Sequence, residues 1–485
     1  MLRPLLWITA SISLMLVGSA AALAADANRP PNIVMFVADD LGYSDLGSFG
    51  STFYETPHLD RLAASGMRFT TAYSACPVCS PSRASIMTGR YPQRCGITDY
   101  INMGGGNQPE NWRRNTRLLP APYSDHLALG ERTIAEVLRD TGYATFFAGK
   151  WHLGAQEFWP EQQGFQINQG GTAAGSPRSY FSPYGNPRLA DGPAGEHLTM
   201  RLAEEVNRFI AANADRAFFV MMSTYDVHIP LMAPVELVKK YEAKAAKLNL
   251  SGPVWGNERG SRVRLVQNHP TYAAMIESLD AAVGSVLNKL DELRLTENTV
   301  VVFTADNGGL STAEGSPTSN LPLRAGKGWL YEGGIRVPTI VRWPGVTPIG
   351  SASSTPISSI DYFPTFLEVA GLPAESEKPL DGKSIVPLLR GEKIESRALY
   401  WDYPHYGNQG GAPGSVIRDG RWKLVEWHDE DSVELYDLEA DPGEKRNLAG
   451  EHENLVNRLR ESLAKWRREV GAKPPTPNPR YKPKR

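Results

Sequence analysis

Four apolar runs stand out along the chain, and each ends abruptly in polar residues. Asn32–Ala38 runs into Asp39-Asp40, and Tyr143–Ala148 runs into Gly149-Lys150. Ala217–Met222 leads to a loop carrying Asp226 and His228, and Thr299–Ala305 runs into Asp306-Asn307. Continuous apolar runs without alternation suit strands buried on both faces, as in a parallel sheet. Between them lie helical patterns: Thr133–Asp140, Leu198–Ala212 and Tyr272–Leu293, the last with Leu279, Val283, Val286, Leu287, Leu290 and Leu293 at helical spacing. Strands alternating with helices predict an α/β fold with helices on both sheet faces. Ligands bind such sheets outside the carboxyl ends of the strands, where all four polar endings fall.

After about residue 385 the pattern changes. Short strands are predicted around 398–401, 415–417, 422–427 and 433–437, with Asp419-Gly420 as a hairpin turn. Leu455–Val470 then reads as one amphipathic helix. The expected organisation is a signal segment at 1–24, a catalytic domain at 29–385 and an antiparallel-sheet-plus-helix subdomain at 386–472. A flexible basic tail at 473–485 completes it. The signal reading rests on Arg3, the apolar stretch Leu5–Val17 and the Ala22-Leu23-Ala24 cleavage pattern. An uncleaved anchor is the alternative, but the apolar run is barely long enough to span. The expected compartment is therefore periplasmic or extracellular, without stable membrane insertion after cleavage.

Composition narrows the function. Of 485 residues, 41% are hydrophobic, which supplies a large core and excludes a disordered chain. Fifty-one basic residues face 53 acidic ones, a balance that argues against a nucleic-acid partner. Three cysteines are too few for a disulfide scaffold. Cys76-Pro77-Val78-Cys79 lacks a second C-x-x-C, so a redox pair or a zinc site is disfavoured.

Cys79-Ser80-Pro81-Ser82-Arg83 is more informative. Pro81 suits the first turn of a helix and Gly89 its end, which puts Cys79 at a helix N-terminus that favours an anion. Arg83, one turn on, adds a cation that matches a tetrahedral oxyanion. Asp39, Asp40, Asp306 and Asn307 offer hard oxygen ligands, so Ca²⁺ is expected, with Mg²⁺ as the alternative. Read alone, either pair would pass for cap and turn residues. Together with the cysteine segment they read as a site.

The segment resembles the C-x-P-S-R signature of the type I sulfatases of the alkaline phosphatase superfamily. Asp39-Asp40, Gly149-Lys150-Trp151-His152-Leu153-Gly154, His228, Asp306-Asn307-Gly308 and Lys327 correspond to further family positions in the same order. The resemblance implies an alkaline-phosphatase-like sandwich with a large, mostly parallel central sheet and a small C-terminal subdomain. It implies that Cys79 is converted to formylglycine by a formylglycine-generating or anaerobic sulfatase-maturing enzyme. The hydrated aldehyde would attack sulfur, and Cys79 would join the four oxygen donors as a metal ligand. Arg83, Lys150 and Lys327 would supply positive charge. Lys150, Lys327 and His228 would bind the sulfate, His228 would protonate the leaving alcohol, and His152, assisted by Lys150, would take the proton that releases sulfate. Cys76 and Cys95 would remain, as a disulfide or as buried thiols.

The substrate is less legible. The Gly- and aromatic-rich stretch 159–184 and the string Trp401–Gly411 suggest a wall for hydroxylated rings. Ordinary loop packing is the alternative for both stretches. Similar exported bacterial sulfatases often act on sulfated polysaccharides or their oligosaccharides, so the resemblance implies a sulfated carbohydrate, with His405, Asn408 and Gln409 as candidate sugar contacts. The competing expectations are a formylglycine-dependent phosphonate or phosphodiester hydrolase of the same fold, and a sulfated-glycan-binding protein without turnover.

Overall fold

The computed structural model describes residues 29–250, 252–373 and 378–483. The expected signal segment lies outside the described residues. Among those described, no helix is long and apolar enough to cross a membrane.

The four apolar runs form the heart of one sheet. Its strands are β1 (Asn32–Ala38), β2 (Met67–Phe69), β3 (Ala144–Gly149), β4 (Ile167–Gln169), β5 (Phe218–Ser223), β6 (Thr299–Ala305), β7 (Thr339–Arg342) and β8 (Ser351–Ser353). The spatial order is β8-β2-β7-β6-β1-β5-β3-β4. The stretch from β6 through β1, β5 and β3 to β4 is parallel; β7 runs antiparallel to both β6 and β2. Every residue of β1, β3, β5 and β6 is buried, which explains the absence of alternation in the sequence.

The pleat divides β1 between two cores. Val34, Phe36 and Ala38 pack with helices α3 (Leu198–Ala212) and α4 (Pro270–Glu292). Ile33, Met35 and Val37 face the opposite layer, with α1 (Cys79–Thr88), α2 (Ile134–Asp140) and α5 (Tyr362–Val369). The result is the expected α/β sandwich, mixed but mostly parallel, with its strand ends gathered on one side.

The C-terminal subdomain is a four-stranded antiparallel sheet of β9 (Leu399–Tyr403), β10 (Gly414–Asp419), β11 (Trp422–Trp427) and β12 (Ser432–Asp437). One face buries Trp401, Val416 and Trp427 against Tyr73, Trp329 and Tyr331 of the sandwich. The other buries Ile417, Leu424 and Leu435 under helix α6 (Glu453–Glu469) through Leu459, Leu463 and Trp466.

Two boundary expectations are corrected. Val386, Leu388 and Leu389 pack in the sandwich core, so the division falls between Leu389 and Leu399 and not at 385/386. The C-terminal segment is docked. Thr476-Pro477 pairs with Leu118-Leu119, Asn478 Nδ2 donates to Thr116 O at 2.8 Å, and Arg480 donates to Trp112 O at 2.6 Å. Its charge and proline content suggested solvation, but backbone pairing to a distant segment outweighs them.

Candidate active site

Helix α1 begins at Cys79 and ends at Gly89, whose φ of 67° is the left-handed conformation that closes helices. All ten residues of this helix are buried, so Cys79 is held rigidly at its first position. The ends of β1, β3, β5 and β6 converge around it. Lys150 Nζ lies 2.6 Å from Asp39 Oδ2, and Lys327 Nζ lies 2.8 Å from Asp40 Oδ2. Arg83 Nη2 lies 2.8 Å from Asp306 Oδ2. Cys79 Sγ is 3.9 Å from Asp39 Oδ1, and His228 Nε2 is 3.7 Å from Asp40 Oδ2.

Three carboxylates thus share a dry space with three cations. Desolvating an ion costs several kcal/mol, so none of these charges would be stable there alone. The consequences differ between neighbours. Burial lifts Asp39 well above the carboxylate range, against the pull of Lys150. Burial also works to raise Asp40, but Lys327 and His228 outweigh it and hold that carboxyl well below the usual range.

The donor set fits a hard divalent cation. Ligand atoms of Asp39, Asp40, Cys79 and His228 all lie within 4.8 Å of one another. Asn307 Nδ2 donates to Asp40 Oδ1 at 2.8 Å, while Asn307 Oδ1 is buried with no partner. A buried acceptor left unpaired among carboxylates is what a cation would satisfy.

Burial pushes the Cys79 thiol up to about 12. A thiolate is therefore scarce near neutral pH, and the unmodified side chain is a poor nucleophile. The two histidines are also depressed. Burial, then Lys150, brings His152 well below its ordinary value. Burial, then Lys327, brings His228 down to about 4. His152 Nε2 lies 2.9 Å from Ile101 O, which fixes the proton there and leaves the buried Nδ1 as an acceptor without a partner. Gly175 permits this placement, since a Cβ there would fall 2.7 Å from His152 Cε1.

A cavity of about 360 Å³ opens above this floor. Of the expected residues, Cys79, His152, His228, Lys327, Asn408 and Gln409 line it. Asp39, Asp40, Lys150, Asp306 and Asn307 sit behind that lining, fully buried. Arg83 is also behind it: Nη1 donates to Lys150 O at 2.7 Å and to Ser223 Oγ at 2.5 Å. With Asp306 these contacts tie together the ends of β3, β5 and β6, so Arg83 braces the site and does not face the cavity.

His405 is corrected. It is 0% exposed, with Nε2 2.9 Å from Thr98 Oγ1 and its ring between Tyr123 and Tyr403. It is a packed core histidine and cannot reach a sugar. The disulfide option is corrected as well: all three cysteines are free, Cys76 lying in the core between the domains and Cys95 in the sandwich core. The 159–184 stretch reaches the cavity through Ala173–Ser176 and not through its aromatic rings. Among the contributors that went unread are Ser223, the last residue of β5, Glu314, which lines the cavity from the loop after β6, and the 100–103 stretch, which lines it as well. None of them belongs to a motif with a spacing of its own.

The fold and floor define a hydrolase built for a small anionic ester at the strand ends of an α/β sandwich. Comparison with known proteins narrows this class. Residues 31–372 match the family model described as Sulfatase, and residues 325–469 match the one described as N-sulphoglucosamine sulphohydrolase, C-terminal. A Sulfatase of Formosa agariphila is 31% identical, over 91% of this chain and 89% of its own length. The N-acetylgalactosamine-6-sulfatase of Canis lupus familiaris is 34% identical, over 80% of this chain and 72% of its own. The crystal structure of Ps i-CgsB superposes with a TM-score of 0.73 at 28% identity, covering 90% of this chain and 93% of that one. The same protein has been solved in complex with k-i-k-neocarrahexaose. The chain belongs to the sulfatase family and is a sulfuric ester hydrolase.

Proposed function

We propose that this enzyme removes sulfate from carbohydrates, using a formylglycine made from Cys79 and a calcium ion held by Asp39, Asp40, Asp306 and Asn307. The observation that carries the reading is the convergence of three cation–carboxylate pairs and the unpartnered Asn307 Oδ1 around one buried cysteine. When present, the ion would supply Lewis-acid polarisation and the modified side chain a hydroxyl nucleophile. The chain's own residues do the rest. Lys327 and His228, which line the cavity, hold the terminal oxygens of the ester. Lys150 and Arg83 fix Asp39 and Asp306 from behind.

His228 is the proton donor to the departing alcohol. Burial, then Lys327, depresses it, and an anionic ester beside it opposes that depression, favouring the protonated ring. His152 accepts the later proton on Nδ1, its free nitrogen.

A carbohydrate leaving group is supported by the amide-rich lining and by relatives named for N-acetylgalactosamine 6-sulfate and solved with a neocarrahexaose. The maturing enzyme is the required partner. Residues 1–24 would direct the protein to the periplasm or beyond.

Sulfate release from defined sulfated mono- and oligosaccharides, with protein co-produced with a maturing enzyme, tests the reading. Cys79→Ala should lose roughly 10⁴-fold or more of the rate. Glycan binding without release, or faster turnover of an aryl phosphate than of its aryl sulfate counterpart, would overturn the proposal.

A further inference from the structure

One wall of the cavity contradicts the electrostatics of its floor. The floor gathers cations for a sulfate, yet Glu314 lines the same space as Cys79 and Lys327. Its carboxylate is anchored from the other domain. Asn408 Nδ2 and Gln409 Nε2, both in the loop after β9, donate to Glu314 Oε1 at 2.7 and 2.8 Å. The two loops are further joined where Thr312 Oγ1 donates to Gln409 O at 2.8 Å. The anchoring uses only one carboxylate oxygen. Glu314 Oε2 is shielded from solvent and has no partner.

Gln409 repeats this state. It is 3% exposed, its amide nitrogen is committed to Glu314, and its Oε1 has no partner. Two cavity-lining residues from different domains therefore present unpaired acceptors. Buried acceptors without donors are costly, on the order of 1–3 kcal/mol each, and native structures keep few of them. Both would be satisfied by donors on a molecule that fills the cavity.

We infer that Glu314, oriented by Asn408 and Gln409, is a specificity-determining residue that accepts a hydrogen bond from a free hydroxyl beside the sulfate ester and excludes a second anion at that edge. The inference deepens the carbohydrate reading and rests on it. A hydroxyl has one proton to donate, and the charged Glu314 Oε2 is the stronger of the two unpaired acceptors. A second sulfate offers them no donor and adds like-charge repulsion. The substrate class is thus a sugar monosulfated at the attacked edge, with its neighbouring oxygen unmodified.

The test compares kcat/KM for galactose 6-sulfate, its 4-deoxy analogue and galactose 4,6-disulfate, with the same set in the N-acetylgalactosamine series. 4-Nitrophenyl sulfate is included as a substrate without sugar hydroxyls. Wild-type enzyme should prefer the monosulfated sugar at least tenfold over both its deoxy and its disulfated counterparts. In Glu314→Gln, which removes the charge and keeps the shape, the preference over the disulfated sugar should fall toward unity. Equal wild-type rates on mono- and disulfated sugars, or a ratio unmoved by Glu314→Gln, would overturn the assignment. Wild-type turnover of 4-nitrophenyl sulfate with none of the sugars would instead overturn the carbohydrate reading, and the assignment with it. The wild-type comparisons stand even if the variant fails to fold.

Discussion

Two clusters of fully buried charge lie in this molecule, one around Cys79 and one at the seam between the sandwich and the C-terminal sheet. At the seam Lys423 Nζ lies 3.0 Å from Glu332 Oε1 and 2.8 Å from Glu444 Oε1. Tyr73 donates to Glu332 Oε2 at 2.8 Å, and the Glu332 backbone N–H donates to Glu444 Oε2 at 2.6 Å. Glu444 Oε1 accepts no hydrogen bond but has the Lys423 ammonium beside it, and Glu444 also lines a cavity of about 480 Å³. The site cluster is as dry and pairs three cations with three carboxylates, but it keeps the neutral Asn307 Oδ1 and His152 Nδ1 without partners, and Cys79, His152 and His228 line its cavity. Burial and pairing alone therefore do not mark a catalytic centre. A nucleophile precursor and proton-transfer side chains facing one cavity do.

The largest expected difference between the clusters concerns proton transfer. His228→Ala should cost roughly 10³-fold in kcat/KM on sugar sulfates, whose alkoxide leaving groups need a proton. On aryl sulfates with acidic leaving groups the loss should be about tenfold or less. Equal losses on both would remove His228 from the acid role and leave it a sulfate-holding residue. No substitution at the seam should split the two substrates in this way.

Calcium should separate the clusters next. Adding the ion to chelator-treated protein should raise Tm, with stabilisation of about 2.7 kcal/mol at a hundredfold excess over Kd. Asp306→Asn should abolish the rise. Lys423→Met should lower the starting Tm, because it strands two seam carboxylates, but should leave the calcium-induced rise intact. A rise of equal size in Asp306→Asn would place the ion elsewhere.

These contrasts bear on what the chain discloses before it is folded. β1, β3, β5 and β6 were legible because strands buried on both faces must be apolar throughout, and their polar endings named most of the floor. Arg83 was legible as a cation but not as a brace, because its partners come from three strand ends 67 to 223 positions away. Glu314 carries no pattern at all: its orientation is set by Asn408 and Gln409, 94 and 95 positions on. His405 stood in a suggestive aromatic string, yet burial decides whether such a ring is a contact or a core residue, and burial is a tertiary property. The tail was misread for the same reason, since its pairing strand lies some 360 positions upstream.

The smallest effect is a pH dependence confined to the seam. One lysine serves two carboxylates there, and they respond in opposite directions. Burial works to raise Glu332, but Lys423 and Arg336 outweigh it and hold that carboxyl below its usual range. Burial, with the charge of Glu332 added, pushes Glu444 from 4.5 up to about 7, against Lys423. The folded chain therefore binds the Glu444 proton more tightly than the unfolded chain does. The stability this contributes is complete below about pH 4.5 and is lost as pH rises toward 7. At about 1.4 kcal/mol per pH unit, the loss between about pH 5 and 6.5 is ~2 kcal/mol. Asp45, raised to about 6, and Asp226, raised to about 7, slope the same way, so the wild-type curve alone does not isolate the seam. Denaturant unfolding of wild type and Glu444→Gln across that window does: the variant should lose this part of the slope while Asp45 and Asp226 keep theirs. Parallel curves would mean that Glu444 is ionised throughout and that Lys423 balances both carboxylates at once.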